Sequence, residues 1–134
     1  MTPISAKKVI LILLNDTDPI LMRVLMNKFK KDSGWESIIC TNYDEALSAF
    51  EKAKPDIVIT EIVINDDKGR NGFNFIDDIK TFKHANKAMV VVFSDLAQED
   101  DKEKARRLGV AHYFVKTEVT VNEFIEEIKK TLKR

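Results

Sequence analysis

Met89-Val90-Val91-Val92-Phe93 is an unbroken apolar run, rich in β-branched side chains and closed by Ser94. A strand with one face in water alternates apolar and polar residues. A continuous run marks a strand covered on both faces, as in a parallel sheet flanked by helices. Working outward, similar short runs recur at Val9–Leu14, Glu36–Cys40, Asp56–Glu61 and Ala111–Lys116, with the first run enclosed by Ala88 and Ser94.

The segments between these runs carry helical spacing and readable caps. Asp18-Pro19 pairs an N-cap residue with proline at the first helical position, and Leu21, Val24, Leu25 and Phe29 then fall on one face. Asn42 and Glu45 resemble a capping box ahead of Ala46, Leu47 and Phe50. Thr120 and Glu123 form the full motif ahead of Phe124, Ile125 and Ile128. Two further helices are expected over Phe73–Phe82 and Ala97–Leu108, the second closed by Gly109 at its C′ position. Strand and helix therefore alternate along one domain spanning residues 1–134. Right-handed crossovers make this a doubly wound α/β sandwich with a parallel sheet.

Composition narrows the function classes. Hydrophobic residues make up 44% and charged residues 33%, with 22 Lys plus Arg against 22 Asp plus Glu. Such a chain folds around a core, and it has no net basic field to attract nucleic acid or anionic membrane. The lone Cys40 excludes an internal disulfide and a cysteine-rich zinc site, and its apolar neighbours suggest simple burial. The run Val9–Leu14 is far shorter than the ~20 residues that span a bilayer. Although it follows Lys7-Lys8, Asn15-Asp16 comes at once and no small-residue cleavage site appears, so a cytoplasmic location is expected. His84 and His112 lack metal-ligand spacing and are expected at the surface. Trp35 is expected at the core's edge, and Gln98–Lys104 on a solvated helix face.

In open α/β sheets ligands bind at the carboxyl ends of the strands. Those ends carry Asn15-Asp16-Thr17, Glu61, Ser94-Asp95 and Lys116, beside a long polar loop from Ile62 to Gly72. Acids, a hydroxyl and an ammonium thus converge on one rim. No glycine-rich phosphate loop follows the first strand, which weighs against a non-signalling flavodoxin-like nucleotide or small-molecule binder.

The order of these motifs resembles the receiver domains of two-component response regulators over nearly the whole chain. Asp16-Thr17-Asp18-Pro19 is similar to their Asp-Asp-x-Pro. Pro55-Asp56-Ile57-Val58-Ile59-Thr60-Glu61 is similar to the segment leading to their phosphorylated aspartate. Ser94 matches the hydroxyl ending their fourth strand, and Tyr113-Phe114-Val115-Lys116 the aromatic three residues before their lysine. The resemblance implies a flavodoxin-like five-stranded parallel sheet in the order 2-1-3-4-5 with five helices. It also implies phosphorelay signalling, with no enzymatic turnover. Partners would be a histidine kinase or a downstream signalling protein, reached through the fourth helix, fifth strand and fifth helix. Self-association on that face stays open, and neither nucleic acid nor membrane is expected as a partner.

Several positions depart from the pattern. Glu61 stands where the acceptor aspartate belongs, and its extra methylene carries the carboxylate about 1.5 Å further toward Ser94 and Lys116. In-line attack needs accuracy of about an ångström, so acceptor chemistry should be badly impaired, while the negative group moves nearer to where a phosphoryl group would sit. Asp16 and Thr17 form the acidic pocket in the favoured register, which loses its second acid; a one-residue slip would make Asn15 and Asp16 the pair. Mg²⁺, which the resemblance implies on Asp16 and Glu61, is therefore expected to bind weakly or not at all. Ser94 and Lys116 occupy the phosphate-contact positions and Tyr113 that of the switch aromatic. Asn65 replaces a proline. The Lys-Pro step of receivers, commonly cis, is Lys116-Thr117, where cis would cost about 3 kcal/mol, so trans is expected. Two readings follow: a phosphorylation-independent receiver biased by Glu61, or a working phosphoacceptor using Glu61, Asp66 or Asp67.

Overall fold

The computed structural model describes residues 8–15 and 19–132. Its elements are β1 (Val9–Leu13), α1 (Pro19–Ser33), β2 (Glu36–Cys40), α2 (Tyr43–Ala53), β3 (Ile57–Thr60), α3 (Gly72–Ile79), β4 (Met89–Ser94), α4 (Glu99–Arg107), β5 (His112–Val115) and α5 (Val121–Leu132), with a 3₁₀ turn at Ala85–Lys87. The five strands form one parallel sheet in the order β2-β1-β3-β4-β5, the order and fold the sequence implies.

The two-sided core explains the unbroken apolar runs. In β1, Ile10 and Ile12 pack on one side with Leu25, Phe29, Phe124 and Ile128. Leu11 and Leu13 point the other way, toward Ala46, Phe50, Phe75 and Ile79. A third cluster joins Ile76, Val92 and Ala105 beneath α4. Each fully buried aliphatic or aromatic side chain contributes roughly 1.5–3 kcal/mol. The driving force is thus shared between the central strands and the helix faces packed on them, and the edge strands β2 and β5 are only partly buried.

Local chemistry sets the boundaries. Asn42 accepts the Glu45 amide at the start of α2. Asn71 and Asn74 form a reciprocal box at α3, and Thr120 and Glu123 do so at α5. Gly109 follows α4 with φ 87°, as its C′ position requires. The proposed cap Asp18 lies outside the described residues. Helix α3 ends at Ile79, earlier than the expected Phe82, because the chain tightens into i→i+3 bonds at Lys80, Thr81 and Phe82.

That tightening also places one histidine deeper than the expected surface position. His84 is half-buried: its ring stacks on Phe50 at 4.8 Å and on Phe82 at 6.0 Å, and both ring nitrogens are buried without a partner among the described residues. His112 is half-buried, with Nε2 2.9 Å from Thr131 Oγ1. Cys40 is buried, and desolvation, with the charge of Glu45 second, pushes its thiol up to about 11. Trp35 stacks on Phe29 at 6.1 Å, at the core's edge as expected. Among the described residues no helix is long and apolar enough to cross a membrane.

Candidate functional site

The parallel sheet delivers its carboxyl ends to one rim. Glu61 directly follows β3, Asn15 lies two residues past β1, Ser94 ends β4 and Lys116 directly follows β5. The Glu61 backbone N–H donates to Leu13 O at 3.0 Å, which fixes where its side chain departs.

Glu61 is 5% exposed, and a carboxylate so buried needs partners. It has two. Lys116 Nζ forms an ion pair with Oε1, and the Asn15 backbone N–H donates to Oε2 at 2.6 Å. The ammonium also lies 5.6 Å from the Phe93 ring centroid, and the Lys116 amide donates to Ser94 O at 2.8 Å. Glu61 and Lys116 thus share one pocket of ≈ 380 Å³, with Asn15, Asp95 and an apolar wall that includes Leu21 and Val119. No peptide bond among the described residues is cis.

Asn15 does more than its sequence position suggests. Its Nδ2 donates to Val63 O at 2.6 Å, and its Oδ1 accepts from the Asn65 amide at 3.1 Å. One side chain therefore fastens the β3–α3 loop while its own amide holds Glu61. The only signal in the sequence is a short amide side chain at a strand end facing a polar loop.

Ser94 ends β4 on the same rim. It is 2% exposed, and its hydroxyl accepts the Leu96 amide at 3.2 Å. Tyr113 completes this second arrangement by donating its hydroxyl to Leu96 O at 2.8 Å. Burial raises the Tyr113 phenol above its ordinary range, helped by the Asp101 charge and opposed by the nearby Ser94 hydroxyl. Tyr113 is thus turned onto the β4–α4 loop, packed with Ala105, Leu108 and Val110. The acidic-pocket residues Asp16 and Thr17 lie outside the described residues, and so does the question of their register.

The long loop carries a separate ionic clasp. Arg70 binds Asp66 through Nε at 2.8 Å and Asp44 through Nη1 at 2.9 Å. Its guanidinium stacks 3.9 Å from the Tyr43 ring centroid, and the Tyr43 hydroxyl donates to Asp78 at 2.6 Å. Asp66 also accepts the Lys68 and Arg70 amides. Hydrogen bonding from Arg70 holds the Asp66 carboxyl far below the usual carboxylate range. Its lone pairs are committed, so it offers no free nucleophile.

Mg²⁺ favours an octahedron of oxygens built from one or two carboxylates and waters. Among the described residues, one Glu61 oxygen faces the Lys116 ammonium and the other the Asn15 N–H, so neither is free for a metal without displacing a donor; Asp16, the other carboxylate the resemblance implies, lies outside the described residues.

Comparison with known proteins agrees with this geometry. A family model described as the response regulator receiver domain matches residues 12–129. The polar-differentiation response regulator DivK of Brucella anthropi is 30% identical over 100 residues, which cover 75% of this chain and 78% of that protein. The CheY-like response regulator receiver domain protein of Methanospirillum hungatei superposes with a TM-score of 0.78 at 19% identity, covering 96% of this chain and 95% of that one. The chemotaxis protein CheY4 of Vibrio cholerae gives 0.76 at 18% identity, covering 93% and 98%.

Proposed function

The chain belongs to the receiver domain family of two-component response regulators, and from that premise we propose that Glu61, not a phosphoryl group, sets its signalling state. The observation that carries this reading is the engagement of both Glu61 oxygens, one by Lys116 and one by the Asn15 amide. An incoming phosphoryl group would have to displace that ion pair before it could reach the carboxylate. The longer Glu61 side chain holds Lys116 through a carboxylate oxygen, at the position where the resemblance implies the lysine would take a phosphate oxygen. The inward Tyr113, bonded to Leu96 O, is the arrangement expected downstream of such a partner.

In this reading the protein is a cytoplasmic interaction module without catalytic turnover. It is read by a histidine kinase or a downstream signalling protein through α4, β5 and α5, and does not depend on bound Mg²⁺. The test is incubation with a small acyl phosphate and Mg²⁺, followed by intact mass measurement. No phosphoryl adduct is expected. A stoichiometric adduct on Glu61, Asp66 or Asp67 would restore the conventional phosphoacceptor reading.

A further inference from the structure

The chain's charges cancel overall but not locally. On α4 and α5, Lys102, Arg106, Arg107, Lys129 and Lys130 each face an acid about one turn away on their own helix. Helix α1 reads PILMRVLMNKFKKDS, with Arg23, Lys28, Lys30 and Lys31 against the single acid Asp32. None of those four cations forms an ion pair among the described residues.

Beside these lysines a cleft of ≈ 540 Å³ is lined by Met26, Lys30, Gly34, Trp35 and Ser37, together with Glu36 and Asn27. Met26 is 44% exposed, although it is apolar. The cleft opens onto β2, an edge strand that among the described residues pairs only with β1. Glu36 N–H donates to Lys8 O, and Cys40 O accepts from Leu14 N–H, so the even-numbered residues of β2 face β1. The alternation of a parallel ladder then turns the N–H and C=O groups of Ser37 and Ile39 to the outer edge. The Ser37 hydroxyl is itself buried without a partner among the described residues.

We propose that the outer edge of β2 and this cleft bind an extended acidic segment of a partner protein, which adds to the sheet as a sixth strand. The backbone groups of Ser37 and Ile39 supply the main-chain bonds of strand addition. Met26 and Trp35 receive an apolar side chain, and the unpaired lysines of α1 meet the acidic ones. This charge complementarity selects the occupant: a basic or neutral strand finds the same edge but no counter-charge. A nucleic acid would find the lysines but could not use the strand edge.

A soluble nonapeptide of alternating glutamate and valine is the probe, titrated into the isotopically labelled protein and followed by amide chemical shifts. The expected result is saturable perturbation centred on Ser37, Ile39 and the second half of α1. Binding should weaken about tenfold in the exposed double variant Lys30→Glu/Lys31→Glu, with its spectrum otherwise intact. The alternating lysine–valine peptide should not bind there. No perturbation of β2 at millimolar peptide would overturn the proposal. So would equal binding by the lysine peptide, or indifference to the charge reversal. A single-stranded oligonucleotide shifting α1 while the acidic peptide does not would overturn it in favour of a nucleic-acid face.

Discussion

Glu61 and Lys116 are 7% and 16% exposed at their side chains, so neither is well placed to fall back on water. Replacing Glu61 by glutamine keeps an oxygen for the Asn15 amide but removes the Glu61 charge from beside the Lys116 ammonium. Removing one member of a fully buried pair costs about 3–5 kcal/mol; partial exposure and the retained hydrogen bond reduce this to about 1–3 kcal/mol for Glu61→Gln, measurable by urea denaturation. Gly72 is a second residue whose identity is dictated by the rim. A Cβ there would lie 2.0 Å from Glu61 O, while its own N–H donates to Ile62 O at 2.7 Å. Rigid backbone stands on the far side, so Gly72→Ala should destabilise by about 3 kcal/mol or more and disturb the Glu61 amide resonance. At this scale legibility was uneven. The sequence brought Glu61 and Lys116 to one place because strand-end positions are set by the apolar runs themselves. It left the Ser94 hydroxyl and the Asn15 amide open, because neither a rotamer nor the direction of a backbone N–H leaves a trace in composition.

The β3–α3 loop behaves as an element in its own right, held at two ends. Asn15 binds it beside Glu61, and Arg70 ties it to α2 through Asp66 and Asp44. The Asp66 carboxyl is held low chiefly by the Arg70 hydrogen bonds, and that of Asp44 is lowered by the same guanidinium. A folded-state value below the unfolded one means stability that is present above the unfolded pKa and lost as pH falls. The unfolded value is about 3.9, so the wild type's advantage over Asp66→Asn should be constant from neutrality to about pH 5. It should then shrink steadily below about pH 4. Thermal melts of both proteins across that range check it, and a gap that stays constant down to acid pH would show the clasp to be inert. The clasp was invisible in the sequence, where Asp66 and Arg70 read only as a polar stretch, because Asp44 reaches them from another helix. Caps, by contrast, were readable at Asn42 and Thr120, since a cap involves residues three apart. The end of α3 was not, because the chain leaves helical geometry at Lys80 to lay Phe82 and His84 over Phe50, a contact made outside the local pattern.

Across the whole molecule, the two local arrangements at the rim share a backbone. The Lys116 amide binds Ser94 O, the Ser94 hydroxyl accepts the Leu96 amide, and Leu96 O receives the Tyr113 hydroxyl. The pocket that holds Glu61 is thereby joined to the α4–β5 face, where Tyr113 packs against Ala105 and Leu108. The alternation of strands and helices was legible because every central strand must be apolar on both sides, whereas the strand order was implied by the resemblance to receiver domains and not by the apolar pattern. Coupling through the fold is a separate matter, limited by how differently Glu61 contacts the two states of the switch. A charge-assisted hydrogen bond gives about 1–2 kcal/mol, hence a several-fold population shift and not a locked state. Glu61→Gln should therefore move the Tyr113 ring resonances partway toward a second position and speed hydrogen exchange at Leu96. Tyr113→Phe removes the bond to Leu96 O without changing packing volume much, so the effect of Glu61→Gln should be largely lost in that background. The two substitutions should then show a coupling energy of about 0.5–1 kcal/mol in a double-mutant cycle. Additivity within error, or a Tyr113 spectrum indifferent to Glu61→Gln, would mean that the Glu61–Lys116 pair neutralises a buried charge and does nothing to the distant face.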